Sequence, residues 1–174
     1  MKGVVFKFFD TLFLFIIFLV AATVAYSITG ADPLLDREGH RNEAYLDVKG
    51  VPTICAGHTS DHAYPFKLGD TWSDEKCRAV YLHDRRQAVD AIERLVTVPL
   101  EPHQYTALTS FVFNIGNGAF ADSTLLELLN LGLYDAVPYE MRRWNKITVN
   151  GVKVVSRGLV NRRESEVKEW LGEL

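Results

Sequence analysis

Several common signatures are scarce in this chain of 174 residues. There are only two cysteines, Cys55 and Cys77, and the five histidines show no paired ligand spacing with cysteines or carboxylates. A zinc-type centre built by the protein is therefore not expected, and no cofactor is implied. Internal repeats and low-complexity tracts are absent, which excludes solenoids and arrays. Positive charge is not in excess: the formal net charge is −3, so nucleic acid is not an expected partner. What is present is 48% hydrophobic content, enough for the core of one ordinary domain with an appendage.

Charge is unevenly placed. From residue 141 onward there are eight Lys or Arg against four Asp or Glu, whereas residues 30–140 carry nine against seventeen. The basic C-terminal part reads equally well as a face for an anionic polymer and as a solvated helix surface.

The appendage is N-terminal. Residues 11–28 carry no charge, a run long enough to span the hydrocarbon core as a helix and longer than the apolar region usual in a cleaved signal peptide. Lys2 and Lys7 precede it, while Asp32 and Asp36 follow, so the positive-inside rule leaves the N-terminus in the cytoplasm and exports the rest. The run is lopsided. Its first half is rich in Leu, Phe and Ile, whereas Ala21, Ala22, Thr23, Ala25 and Ser27 hold the outer half weakly. The expected division is a membrane segment over 1–29 and a catalytic domain over 30–174. A releasable anchor, a permanent anchor and a cleaved signal are ranked in that order.

The most specific pattern lies just beyond. Glu38, Asp47 and Thr53 are separated by eight and then five residues. Cutting a glycosidic bond needs one carboxyl group kept protonated to serve the leaving oxygen, and a second, ionised, to steer water or stabilise the cationic sugar. Glu38 follows apolar Leu34 and Leu35, an environment that would desolvate a carboxylate and raise its pKa. Asp47 sits where apolar and polar residues alternate around Lys49-Gly50, which places it on a hairpin nearer water with Thr53 on the returning strand. Isolated Glu and Asp residues at such spacing are usually solvated surface charges, so the pair needs its context.

That context resembles the phage-type lysozymes, an endolysin family marked by a Glu, eight residues, an Asp or Cys, five residues and a Thr. The likeness is strongest to signal-anchor-release endolysins of lambdoid phages. It continues through Phe111-Val112-Phe113-Asn114-Ile115-Gly116, similar to the family's central buried helix, through Ser123-Thr124-Leu125-Leu126, and into Gly158-Leu159-Val160-Asn161-Arg162-Arg163 of a closing helix. Cys55-Ala56 departs from the Gly or aromatic residue frequent there.

The resemblance implies a peptidoglycan hydrolase, a muramidase used for host cell lysis, monomeric, with peptidoglycan strands and the inner membrane as partners. Glu38 would be the general acid, and Asp47 with Thr53 would hold the attacking water, giving inversion. Arg157 would pair with Glu38. His58 is a candidate base, although a buried structural histidine tied to Asp84 on the next helix is the stronger reading. Cys55 and Cys77 are either a disulfide or two buried thiols. The alternatives are a permanently tethered bacterial wall-remodelling lysozyme and a catalytically silent peptidoglycan-binding module.

The remaining chain reads as helices. Ser73 caps one that runs to Pro99, Pro102 opens the next, Ser123 caps a third, residues 133–144 form a fourth around Pro138, and Ser156 precedes a last one ending near Gly172. Asn150-Gly151 marks a hairpin between Ile147 and Val155. The expected architecture is α+β and lysozyme-like: a small β-hairpin lobe and a larger helical lobe with a cleft between, preceded by an N-terminal transmembrane helix.

Overall fold

The computed structural model describes residues 41–47, 50–149 and 151–174. The apolar segment 11–28, Glu38 and the turn residues Val48, Lys49 and Asn150 lie outside the described residues. Among the described residues no helix is long and apolar enough to cross a membrane.

The chain enters through a three-stranded antiparallel sheet, β1 Arg41–Leu46, β2 Pro52–Cys55 and β3 His58–Thr59, in that spatial order. Gly50, at φ 75°, takes the left-handed conformation of the β1–β2 turn, and its N–H donates to the Asp47 carbonyl at 2.9 Å. Residues 70–72 lie along the outer edge of β1, where Ala44 N–H donates to the Asp70 carbonyl and Trp72 N–H to the Asn42 carbonyl, each at 2.8 Å. A small core of Ala44, Ile54, Phe66, Trp72, Val80 and the two cysteines backs this sheet. Cys55 and Cys77 are joined in a disulfide with their Cα atoms 5.3 Å apart, which resolves the alternative left open by the sequence.

Helix α1, Asp74–Leu95, starts where expected: the Ser73 side chain accepts from Lys76 N–H, and Asp74 and Glu75 occupy the electropositive first turn. Its N-terminal part completes the sheet's core, and its C-terminal half, through Ala88, Ala91 and Ile92, enters a second and larger one. Helix α2, Pro102–Ile115, is the centre of that core and buries Ala107, Leu108, Phe111 and Val112. Around it pack α3 Asn117–Ala121, α4 Thr124–Asn130, α5 Val137–Arg142 and α6 Arg157–Trp170, which add Phe120, Leu125, Leu129, Met141, Val167 and Trp170. Each fully buried large apolar side chain contributes roughly 1.5–3 kcal/mol.

The helix expected over 133–144, with Pro138 in its first turn or kinking it, is corrected in its extent, and Pro138 does stand in the first turn. The segment is a 3-10 turn, Tyr134–Ala136, followed by the short α5. Pro138 has no N–H to give the carbonyl of residue 134, so the helical ladder cannot run unbroken through it. The Tyr134 hydroxyl meanwhile donates to the Pro99 carbonyl at 2.7 Å and pins the turn to the start of the α2 segment. Strands β4 Lys146–Val149 and β5 Val152–Val155 then form the expected hairpin, with Gly151 at φ 80°, closed at its base by Ser156 N–H donating to the Asn145 carbonyl.

Candidate active site

Asp47 and Thr53 are placed by the first hairpin. Tyr45 is the partner of Thr53 in the β1–β2 register, and Asp47 follows Tyr45 by two residues. Side chains alternate along a strand, so Asp47 and Thr53 occupy diagonal positions on one face, about 7 Å apart for such a pair. Each is oriented by Val51. The Asp47 carboxylate accepts from Val51 N–H at 2.8 Å, and the Thr53 hydroxyl donates to the Val51 carbonyl at 3.0 Å.

This arrangement has a chemical consequence. A threonine hydroxyl has one proton and two lone pairs. With its proton committed to Val51, the Thr53 hydroxyl can only accept a further hydrogen bond, as can a carboxylate. Thr53 is also 4% exposed, which restricts its rotation.

Of the other sequence candidates, His58 sits deep in the small core at 3% exposure, beside the rings of Tyr64, Phe66 and Trp72. Its Nδ1 lies 2.9 Å from Asp84 Oδ2, and its Nε2 lies 3.1 Å from the Tyr64 carbonyl. Both neighbours are acceptors, an arrangement that favours the protonated ring, with an N–H on each nitrogen. Burial alone would lower its pKa, but the hydrogen bonds to Asp84 and Tyr64, with the charges of Asp84 and Asp61, outweigh it and raise the pKa above the ordinary 6.5. A ring so engaged has no lone pair for catalysis. The same fact bears on metals: ligand atoms of His58, Asp61 and Asp84 lie within 4.8 Å of one another, but a histidine ligand needs a free lone pair.

Arg157 is exposed on the first turn of α6, and Glu38, its expected partner, lies outside the described residues. The buried guanidinium of α6 is instead Arg163, at 1% exposure. It stacks over the Phe111 ring at 4.9 Å, its Nε lies 2.8 Å from Glu166 Oε2, and its Nη2 donates to Asn114 Oδ1 at 2.8 Å. Glu166 also accepts from Ser110 at 2.9 Å and from Arg162 at 3.2 Å. Burial pushes the Glu166 carboxyl up and the Arg163 guanidinium down, each opposed by the other's charge. Sequence reasoning passed over this network, although Arg162, Arg163 and Glu166 stand at helical i, i+3 and i, i+4 spacing.

A groove of about 880 Å³ opens beside that network. Asn114, Ser123, Glu140 and Trp144 form its helical wall, and Lys146, Thr148 and Lys153 of the second hairpin face them. None of Asp47, Thr53, His58 and Arg157 lines it. The walls of this groove belong to the helical lobe and its own hairpin.

A profile of the phage lysozyme family matches residues 36–166, which includes the sheet, the groove and most of α6. The chain belongs to the phage lysozyme family. It is similar to the SAR-endolysin of Pseudomonas phage phiKMV, 37% identical over 153 residues that cover 88% of this chain and 91% of the relative. Among solved structures, it is similar to the endolysin from Escherichia coli O157:H7 phage FAHEc1, with TM-score 0.72 and 36% identity over 82% of this chain and 90% of that one. It is also similar to the muramidase domain of SpmX from Asticaccaulis excentricus, with TM-score 0.69 and 33% identity over 80% and 92%. The fold is therefore lysozyme-like, and membership of the phage lysozyme family makes the chain a glycoside hydrolase.

Proposed function

We propose that this phage lysozyme is an exported muramidase that cuts the β-1,4 bond between N-acetylmuramic acid and N-acetylglucosamine, and that a phage uses it to lyse a Gram-negative host. The observation that carries the mechanism is the pair of acceptors on one hairpin face. A water that donates one hydrogen to Asp47 and the other to Thr53 has a lone pair left, aimed away from the hairpin. Glu38, protonated, gives its proton to the departing oxygen from the other side of the sugar. Displacement by that water, which gives up a proton to the Asp47 carboxylate as it attacks, inverts the anomeric centre and needs carboxyls about 6.5–9.5 Å apart.

Residues 1–29 would act as a signal-anchor that keeps the N-terminus cytoplasmic, and residues 30–174 would work in the periplasm as a monomer. The run 11–28 supports this assignment, as does the SAR-endolysin among the relatives. Release of the anchor follows from its weak outer half. Fractionation before and after collapse of the membrane potential tests it: the protein is expected to leave the membrane pellet on collapse, and protein that stays there throughout contradicts release.

The likeness to the SpmX domain, from a bacterium, favours one second reading: a permanently tethered lysozyme that opens the wall locally. The activity shared by both readings is tested by clearing of permeabilised Gram-negative cells. Glu38→Gln and Asp47→Asn are each expected to lose at least about 100-fold in rate, the scale of a missing general acid or base. Clearing at the wild-type rate by Glu38→Gln contradicts the assigned acid.

A further inference from the structure

The groove on the helical lobe has a charge pattern that sugar hydroxyls do not explain. Four cations line it, Arg142, Arg143, Lys146 and Lys153, against two carboxylates, Asp122 and Glu140. The arginines are already matched within the chain. Arg142 makes a forked pair with Glu164 at 2.8 and 2.9 Å, and Arg143 contacts both Glu140 oxygens at 2.9 Å. Lys146 and Lys153 are exposed and form no ion pair among the described residues.

The hairpin register aims both lysines one way. Lys146 pairs with Val155 and Thr148 with Lys153, so Lys146, Thr148 and Lys153 share a face. All three line the groove together with Ile147; Val149, Val152 and Val154 take the face opposite the lysines, and Val155, the partner of Lys146, stands on the lysine face. The hairpin thus presents two ammonium groups, without an ion pair among the described residues, and a hydroxyl to a concavity whose other wall is helical. The surplus of positive charge in the sequence after residue 140 has its counterpart here.

We infer that this groove is a subsite for the carboxylates of the short peptides that hang from murein, held by Lys146 and Lys153. The inference rests on the muramidase reading, which brings a glycan with an anionic peptide on alternate sugars to the molecule. An ammonium group on a flexible stem suits carboxylates that vary in position, and Thr148 between the two can donate to a peptide carbonyl. An anionic membrane is the competing occupant. It fits less well, because both lysines line a concavity beside the helical lobe, which a flat surface does not enter.

The experiment compares the full-length enzyme with Lys146→Ala/Lys153→Ala on two substrates, intact murein and murein stripped of its peptides by an amidase, read as reducing ends released. The double variant is expected to fall about tenfold in kcat/KM on intact murein, the scale of two partly exposed charge contacts, and less than twofold on stripped glycan. The fall of wild-type rate on intact murein with added salt should flatten in the variant. Equal losses on both substrates, or none, overturn the inference. So does loss of binding to phosphatidylglycerol vesicles with the substrate ratio unchanged, which assigns the lysines to a membrane surface. A wild-type enzyme that releases no reducing ends from either substrate overturns the muramidase reading itself, a distinguishable result. Both lysines are exposed, so the variant is expected to melt within about 1 °C of wild type.

Discussion

The two lobes are stabilised by different means. The helical lobe buries about a dozen large apolar side chains around Phe111 and Leu108, and within that core it carries a charged network of Arg163, Glu166 and Arg162. The sheet lobe has a core of only Ala44, Ile54, Phe66, Trp72, Val80 and the cysteines, and it adds a covalent link and an ion pair: the Cys55–Cys77 bridge and His58–Asp84. Both tie the sheet to α1. A unit with so little apolar surface to bury gains more from cross-links than a large one does. The candidate water-holding residues stand on the lobe fastened this way, so Asp47 and Thr53 depend on links that lie off the reacting face.

The contrast can be broken at three places. The largest effect is expected in the helical lobe. Glu166→Ala leaves a buried guanidinium unmatched and should destabilise the protein by about 3–5 kcal/mol in urea unfolding. A change below about 1 kcal/mol would mean that water reaches Arg163. In the sheet lobe, replacing both cysteines by alanine opens a loop with a sequence separation of 22 and should cost about 3 kcal/mol. Hydrogen exchange should show that loss mainly in β1 to β3, with the amides around Phe111 spared. Uniform loss of protection would show that the lobes unfold as one unit.

A smaller effect is tied to pH. The folded pKa of His58 is raised, so its stabilisation is fully present below the unfolded value near 6.5 and is lost as pH climbs through the raised folded value. Asp84→Asn should therefore destabilise by about 1.5 kcal/mol at pH 5.5, the scale of a charged hydrogen bond, with the gap to wild type narrowing toward pH 8.5. A gap that widens with pH would indicate a neutral histidine.

What the sequence disclosed was mostly local. Ser73, Pro102, Ser123 and Gly151 act through their own neighbours, and each marks a boundary that the fold respects. The proline at 138 was equally visible, but its place in the first turn of a short helix, behind a 3-10 turn pinned by Tyr134 to Pro99, was not. The disulfide needed a Cα separation that no spacing supplies. Arg163 was hidden for a related reason: one arginine among neighbours of like type shows nothing of its burial until Phe111 and Asn114 are brought against it. The relation of Asp47 to Thr53 could be read from the sequence because one short hairpin fixes it. Lys146 and Lys153 were visible only as part of a charge surplus, since the groove that gives them a common direction is tertiary.

The central claim is that Asp47 and Thr53 deliver water to the face of the sugar opposite the departing oxygen. Proton NMR of the reducing ends first released by the purified enzyme from a soluble murein glycan tests it most directly. The account predicts that the new ends appear as the α anomer and only later equilibrate; first appearance of the β anomer would contradict it.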